Sequence, residues 1–270
     1  MNLVLLPRLV FLACLFLLTA CASTPRVSPQ VRADLAPTGK LRAGINYANA
    51  IVATRDPATG QLAGVSVDLV REVARRLGVP LELTGFDFSG KLADALNAGA
   101  LDIGGIAGGS GTGREGTMDF TAGYLQIETT YMVAPGSSIR TIAEVDRAGV
   151  SVGVADKSAF RPFLAKNLRN AQLLTGPGNP TAFELVRSGK VEVLAGLRHQ
   201  LAEVQAQLPG SRILDGHFLV VEQTLAIPKG REAGLRFLRD FVEEAKASGF
   251  VARSLERSGH PNVPVSPAAK

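Results

Sequence analysis

The sequence predicts an α/β fold with mainly parallel strands, and three observations predict it. From Leu41 onward, short β-rich runs alternate with stretches of helical periodicity, the pattern of strand–helix–strand units. Hydrophobic types make up 46% of the 270 residues and charged types 20%, a balance that supports a buried core and excludes wholesale disorder. Glycine and proline punctuate the periodic stretches where helices should stop, as at Gly78 and Pro80. The length suits one large domain or two of ordinary size.

The elements follow in order. LRAGI (41–45) is a strand, and Ser66 to Leu77 is a helix with Val67, Val70, Val73, Ala74 and Leu77 on one face. A strand over 81–83, a helix over 91–97 and a strand over 101–106 come next. Strands are expected at 129–134, 150–154, 172–174 and 191–195, with helices near 159–167, 181–188 and 199–207. A long strand around 219–227 precedes a helix from 232 to 248, with Gly249 as its C-cap and a shorter helix to about 257. The proline-bearing tail from Ser258 is expected to be disordered.

The N-terminus carries an address. Residues 9–20 (LVFLACLFLLTA) form an apolar run preceded by Arg8, too short to span a bilayer but suited to a signal peptide. The run ends in Leu18-Thr19-Ala20-Cys21, which resembles the bacterial lipobox, with Cys21 as the lipidated residue; a plain secretory signal with a chance cysteine is the alternative. Residues 21–38, with prolines at 25, 29 and 37, read as a tether between lipid and fold. Ala22 after the cysteine favours the outer membrane if the host is Gram-negative.

Composition narrows the chemistry. The two cysteines, Cys14 and Cys21, both lie in this leader, so no disulfide is expected in the body. Basic residues are dispersed, net charge is +5 and aromatics are 6%, which argues against nucleic-acid binding. The glycines from 104 to 113 suggest a phosphate loop, but Arg114 and Glu115 stand where Lys and Ser/Thr are needed. Gly111, Gly113 and Gly116 fit G-x-G-x-x-G, yet TMDFTAGY after them is no helix start. Gly149-Val-Ser151-Val-Gly153 fits a nucleophile pattern but places the serine inside a strand. His199, His217 and His260 have neither metal nor triad spacing. No cofactor, metal or catalytic residue is expected.

One constellation is more specific. Leu101-Asp102-Ile103 leads through the glycines to Arg114, then to Met118-Asp119-Phe120-Thr121 and Tyr124. Gln61 to Leu69 (QLAGVSVDL), Thr141 to Val145, Val150 to Val154 and Ala226 to Gly230 add further pieces in order. Together they resemble the family 3 extracellular solute-binding proteins, the amino-acid-type receptors of ABC transporters, from about Gly39 to Ser258. The resemblance implies a periplasmic-binding-protein-like type II fold, with two α/β lobes joined by crossovers near 129–134 and 221–227. Lobe 1 would combine 39–130 with 224–258, lobe 2 would span 131–223, and 259–270 would trail.

The resemblance also implies a site in the inter-lobe cleft. Arg114 would grip a ligand carboxylate, since a guanidinium fork matches it in two places; pairing with Asp119 or Glu115 is the alternative. Ser158 would meet the same carboxylate from lobe 2, or act only as a helix N-cap. Ser110, Asn46, Tyr47 and Phe88 complete the expected lining. Leu197 stands where amino-acid binders carry an aspartate for the ligand ammonium, which argues for an anionic ligand; Glu222 or Asp68 could otherwise supply that charge. The implied protein is a monomeric extracytoplasmic receptor, lipid-anchored, presenting a small anionic or zwitterionic solute to a permease. An exported enzyme resembling cyclohexadienyl dehydratase, or a ligand sensor for a membrane partner, is the alternative.

Overall fold

The computed structural model describes residues 27–109 and 112–269. One large sheet runs through the molecule in the order β4-β1-β5-β12-β7-β10-β8-β9. These strands are β1 (Leu41–Asn46), β4 (Leu81–Phe86), β5 (Ile103–Gly108), β7 (Leu125–Val133), β8 (Ser151–Ala155), β9 (Gln172–Gly176), β10 (Val193–Leu197) and β12 (Leu219–Pro228). Each wing is parallel: β4, β1 and β5 on one side, β10, β8 and β9 on the other. The centre is antiparallel, where β12 pairs with β5 and with β7, and β7 pairs with β10. The long strands β7 and β12 are therefore the two crossovers between lobes. They hydrogen-bond to one another over 125–129 and 219–223 before parting into opposite wings.

Helices cover the wings. In the first lobe, α2 (Val65–Leu77) buries Val67, Val70, Val73, Ala74 and Leu77, and stops at Gly78 in the left-handed region. Helix α3 (Ser89–Asn97) packs Leu92 and Leu96 beneath β5. The second lobe carries α4 (Arg161–Asn167), α5 (Asn179–Arg187) and α6 (Arg198–Gln207). The chain returns to the first lobe through α7 (Glu232–Ala247) and α8 (Phe250–Arg257). Strands β8 and β10 lie inside the second lobe, so their runs are apolar rather than alternating. A buried ion cluster ties the first lobe together. Asp102, fully buried, accepts from Arg42 at 2.7 Å and from Arg231 at 3.2 Å.

Three expectations need correction. Part of the supposed tether is helix α1 (Pro29–Leu35), capped by Ser28, with Leu35 fully buried and Asp34 accepting from the backbone of Gly234. Proline at the first helical position lacks only an N–H that has no helical partner there, so it began a helix instead of breaking one. The tail is also held in place: Val265 bridges Leu125, and Lys246 donates to the Pro267 carbonyl at 2.8 Å. Val263 and Val265 pack on the core, which gives the tail an apolar anchor that its prolines conceal. The strand expected over 101–106 is β5, but it runs on through Ala107 and Gly108, so the glycine loop begins later than expected. A Cβ on Gly108 would stand 2.3 Å from the Phe120 ring and 2.5 Å from Thr224 Oγ1, so close strand and side-chain packing explains that glycine. The short strands β2 (Thr54–Arg55), β3 (Leu62–Ala63), β6 (Met118–Phe120) and β11 (Arg212–Ile213) are too short to show a period in sequence.

Candidate functional site

Parallel strands end where their helices begin, and in such sheets ligands settle outside the carboxyl ends. Here the two wings turn those ends toward each other. Asn46 is the last residue of β1, Leu197 the last of β10, and Ser158 lies in the turn after β8. Between them is a cavity of about 40 Å³, room for about three waters. Its first-lobe wall includes Asn46, Asn49, Phe88, Ser89 and Ala107, and its second-lobe wall Ser158, Phe160, Asn179, Leu197 and Gln200. Val221 and Gln223 form the floor, alternate residues on one face of the β12 crossover.

Arg114 sits behind this wall. It is only 9% exposed, and among the described residues it pairs with no carboxylate. Its Nη1 donates to the Ala107 carbonyl at 2.8 Å, and its Nη2 to Ser89 Oγ at 3.2 Å and the Lys157 carbonyl at 3.0 Å. Asp119 instead pairs with Lys229, while Glu115 accepts from the Thr112 backbone. The surface pairing considered for Arg114 is therefore not what the structure shows. Burial pulls the Arg114 pKa down to about 10, with Asp94 and Glu115 offsetting this only in part. A cation held under such stress, beside a cavity, is a ready partner for an anion.

Ser158 is 6% exposed, and its Oγ has no hydrogen-bond partner among the described residues. It does not cap α4, whose N-cap is Phe160. Ser158 therefore offers an unused hydroxyl to the cavity it lines. Asn46, Phe88 and Leu197 also line the cavity. Tyr47 does not. Its ring lies under the Arg55 guanidinium at 5.6 Å, against Gly85, because the side chain after Asn46 points to the opposite side of the chain. Ser110 and Cys21 lie outside the described residues.

The two acids considered for a ligand ammonium are elsewhere. Glu222 lies between Val221 and Gln223, on the opposite face of β12, and accepts from Gln126. Asp68 is held by Ser254 at 2.5 Å and Arg257 at 2.8 Å. Sequence reading missed Ser89, Asn179, Gln200 and Gln223. The period-2 face of the crossover could have found Gln223; the others come together only through the fold.

The lobes already touch at the cleft. Lys157, the sole described non-glycine residue with positive φ (57°), gives its carbonyl to Arg114 and its Nζ to Asp94 at 2.7 Å. Gln200 Nε2 donates across to the Ala48 carbonyl at 2.8 Å. The histidines stay outside the cavity lining: His217 faces Glu128 and His260 faces the Ala50 carbonyl. His199 is largely buried without a hydrogen-bond partner among the described residues. Burial, with a smaller push from His260, takes its pKa down to about 4. No three-residue metal-ligand cluster and no helix long and apolar enough to cross a membrane occur among the described residues.

Comparison with known proteins agrees with this architecture. The model of the bacterial extracellular solute-binding proteins, family 3, matches residues 41–259. The chain belongs to that family. A cyclohexadienyl dehydratase from Pseudomonas aeruginosa is 25% identical over 209 residues, covering 73% of this chain and 74% of the relative. An amino acid ABC transporter substrate-binding protein from Streptococcus pneumoniae, solved with L-arginine, superposes with a TM-score of 0.68 at 19% identity, covering 85% of this chain and 98% of that one. An ancestral amino-acid-binding protein, described as a precursor of cyclohexadienyl dehydratase, gives 0.65 at 24% identity, covering 83% and 97%. These likenesses establish the two-lobed fold, and the family is one of extracellular solute-binding proteins.

Proposed function

We propose that the protein is the extracytoplasmic substrate-binding component of an ABC importer. It captures a small carboxylate-bearing solute, an amino acid or related organic acid, between its lobes. The observation that carries this reading is Arg114, a buried cation without a carboxylate partner among the described residues, whose fork donates only to neutral oxygens. A ligand carboxylate entering from the cavity would exchange those partners for a charge-assisted pair, with Ser158 Oγ as a second donor. Asn46 and Phe88 would contact the rest of the solute. Because Arg114 touches Lys157 across the cleft, binding and lobe closure are coupled through one side chain.

A thermal-shift screen against amino acids, organic acids and opines tests this reading. It predicts at least one stabilising compound. A broad panel with none would overturn it.

A second reading, an exported dehydratase, is favoured by the 25% identity to cyclohexadienyl dehydratase. Such chemistry needs a group that moves a proton to the departing hydroxyl. The described lining consists of amides, hydroxyls and hydrocarbon, which favours a receptor. Turnover of a cyclohexadienyl acid by the purified protein would reverse that preference.

Cys21 is proposed as the lipid attachment site, on the strength of Leu18-Thr19-Ala20-Cys21. Cys21→Ser should release the protein from membranes, and continued anchoring would refute the assignment.

A further inference from the structure

We infer that the solute of this cavity is a small hydroxy or oxo carboxylic acid that lacks an ammonium group. This rests on the receptor reading above and goes further, to the end of the ligand that Arg114 does not hold.

A backbone N–H can only donate, so the end of a side-chain amide that faces one must be its oxygen. Asn46 accepts from the Ala48 N–H at 3.1 Å, and Asn49 accepts from the Ile51 N–H at 3.2 Å. Each carbonyl oxygen thus has one of its two acceptor sites taken, and each residue has its NH2 group left to offer at the cavity they line. The Ser158 hydroxyl adds a donor with no partner among the described residues, and Arg114 is a donor only. On the acceptor side, Gln200 turns its NH2 to the Ala48 carbonyl and its oxygen toward Asn179 Nδ2 at 3.5 Å. Gln223, 3% exposed on the floor, can present either end.

Among the described residues the cavity lining holds no carboxylate. An ammonium group would add three further donors and a charge, and it needs oxygens or an anion around it. Leu197 offers hydrocarbon at the cavity wall. The nearby acids are already engaged: Asp94 by Lys157, Asp156 by Arg161 and Asp87 by Lys91. A hydroxyl or carbonyl oxygen in place of the ammonium accepts from the asparagine NH2 groups and leaves no cation unpaired.

Titration calorimetry on the purified protein tests this with matched triads that differ only at the second carbon. These are lactate, pyruvate and alanine; malate, oxaloacetate and aspartate; and 2-hydroxyglutarate, 2-oxoglutarate and glutamate. The hydroxy or oxo member of the best-binding triad should bind about tenfold tighter than its amino acid, or better, because the ammonium would be desolvated without a counter-charge. An amino acid binding as tightly as its partners would overturn the inference and leave the receptor reading standing. Binding of none of the nine would also overturn the inference, while the broader thermal screen judges the receptor reading independently. Leu197→Asp should shift preference toward the amino acid of the same triad. Unchanged preference in the folded variant would count against the inference; should the variant fail to fold, the wild-type comparison decides alone.

Discussion

Replacing Arg114 with methionine separates recognition from folding. The guanidinium is nine-tenths buried and makes three hydrogen bonds, all to neutral oxygens. Burial lowers its pKa from 12.5 to about 10, which corresponds to a cost of about 3 kcal/mol for holding the charge there. Methionine of similar length removes that cost and leaves three acceptors without their donor, each loss worth about 1 kcal/mol. The two effects nearly cancel, so unfolding free energy should change by less than about 2 kcal/mol. Binding should behave differently. A buried charge pair that loses one partner costs about 2–5 kcal/mol, a fall in affinity of about thirtyfold or more. Urea denaturation and calorimetry with a ligand from the thermal-shift screen measure both quantities on one preparation. Affinity within about threefold of the parent would remove Arg114 from recognition. A loss of more than about 3 kcal/mol in stability would make it a structural residue.

Other perturbations test the scaffold around the site. Asp102→Asn, which weakens the buried cluster with Arg42 and Arg231, should cost about 2–3 kcal/mol in chemical denaturation because two partly covered cations lose their counter-charge; an unchanged midpoint would refute that role. Leu35→Ala should cost about 3 kcal/mol, since Leu35 is fully buried in the core, whereas a tether would show no change. The His199 pKa is lowered to about 4 by burial, so the unfolded chain binds the proton more readily. Stability from His199 is complete above about pH 6.5 and is lost as pH falls toward 4, by about 2 kcal/mol after allowance for partial exposure. His199→Gln should flatten that part of the pH–stability curve, and an unaltered curve would contradict the assignment.

The fold was largely legible because its signals are local and periodic. The face of α2 could be read from Val67, Val70, Val73 and Leu77, and all four are buried. The misreadings came where one residue type serves two purposes. Pro29 looks like a breaker but starts a helix, and Gly108 looks like part of a loop but ends strand β5, packed against Phe120. Asn46, Phe88, Ser158 and Leu197, to which the family resemblance pointed, lie around the cavity. Gln200 and Asn179 were not legible, since nothing local shows that α5 and α6 turn them toward the first lobe. Tyr47 was misplaced for a related reason: one residue along an extended segment reverses the side.

The most direct test of the central claim is a crystal structure with the tightest-binding carboxylate from the thermal-shift screen. A carboxylate oxygen should lie within about 3 Å of the Arg114 guanidinium and of Ser158 Oγ, with at least one of the Arg114 contacts to Ala107, Ser89 or Lys157 given up. A ligand bound elsewhere, or one in the cavity while Arg114 keeps all three neutral partners, would contradict the claim.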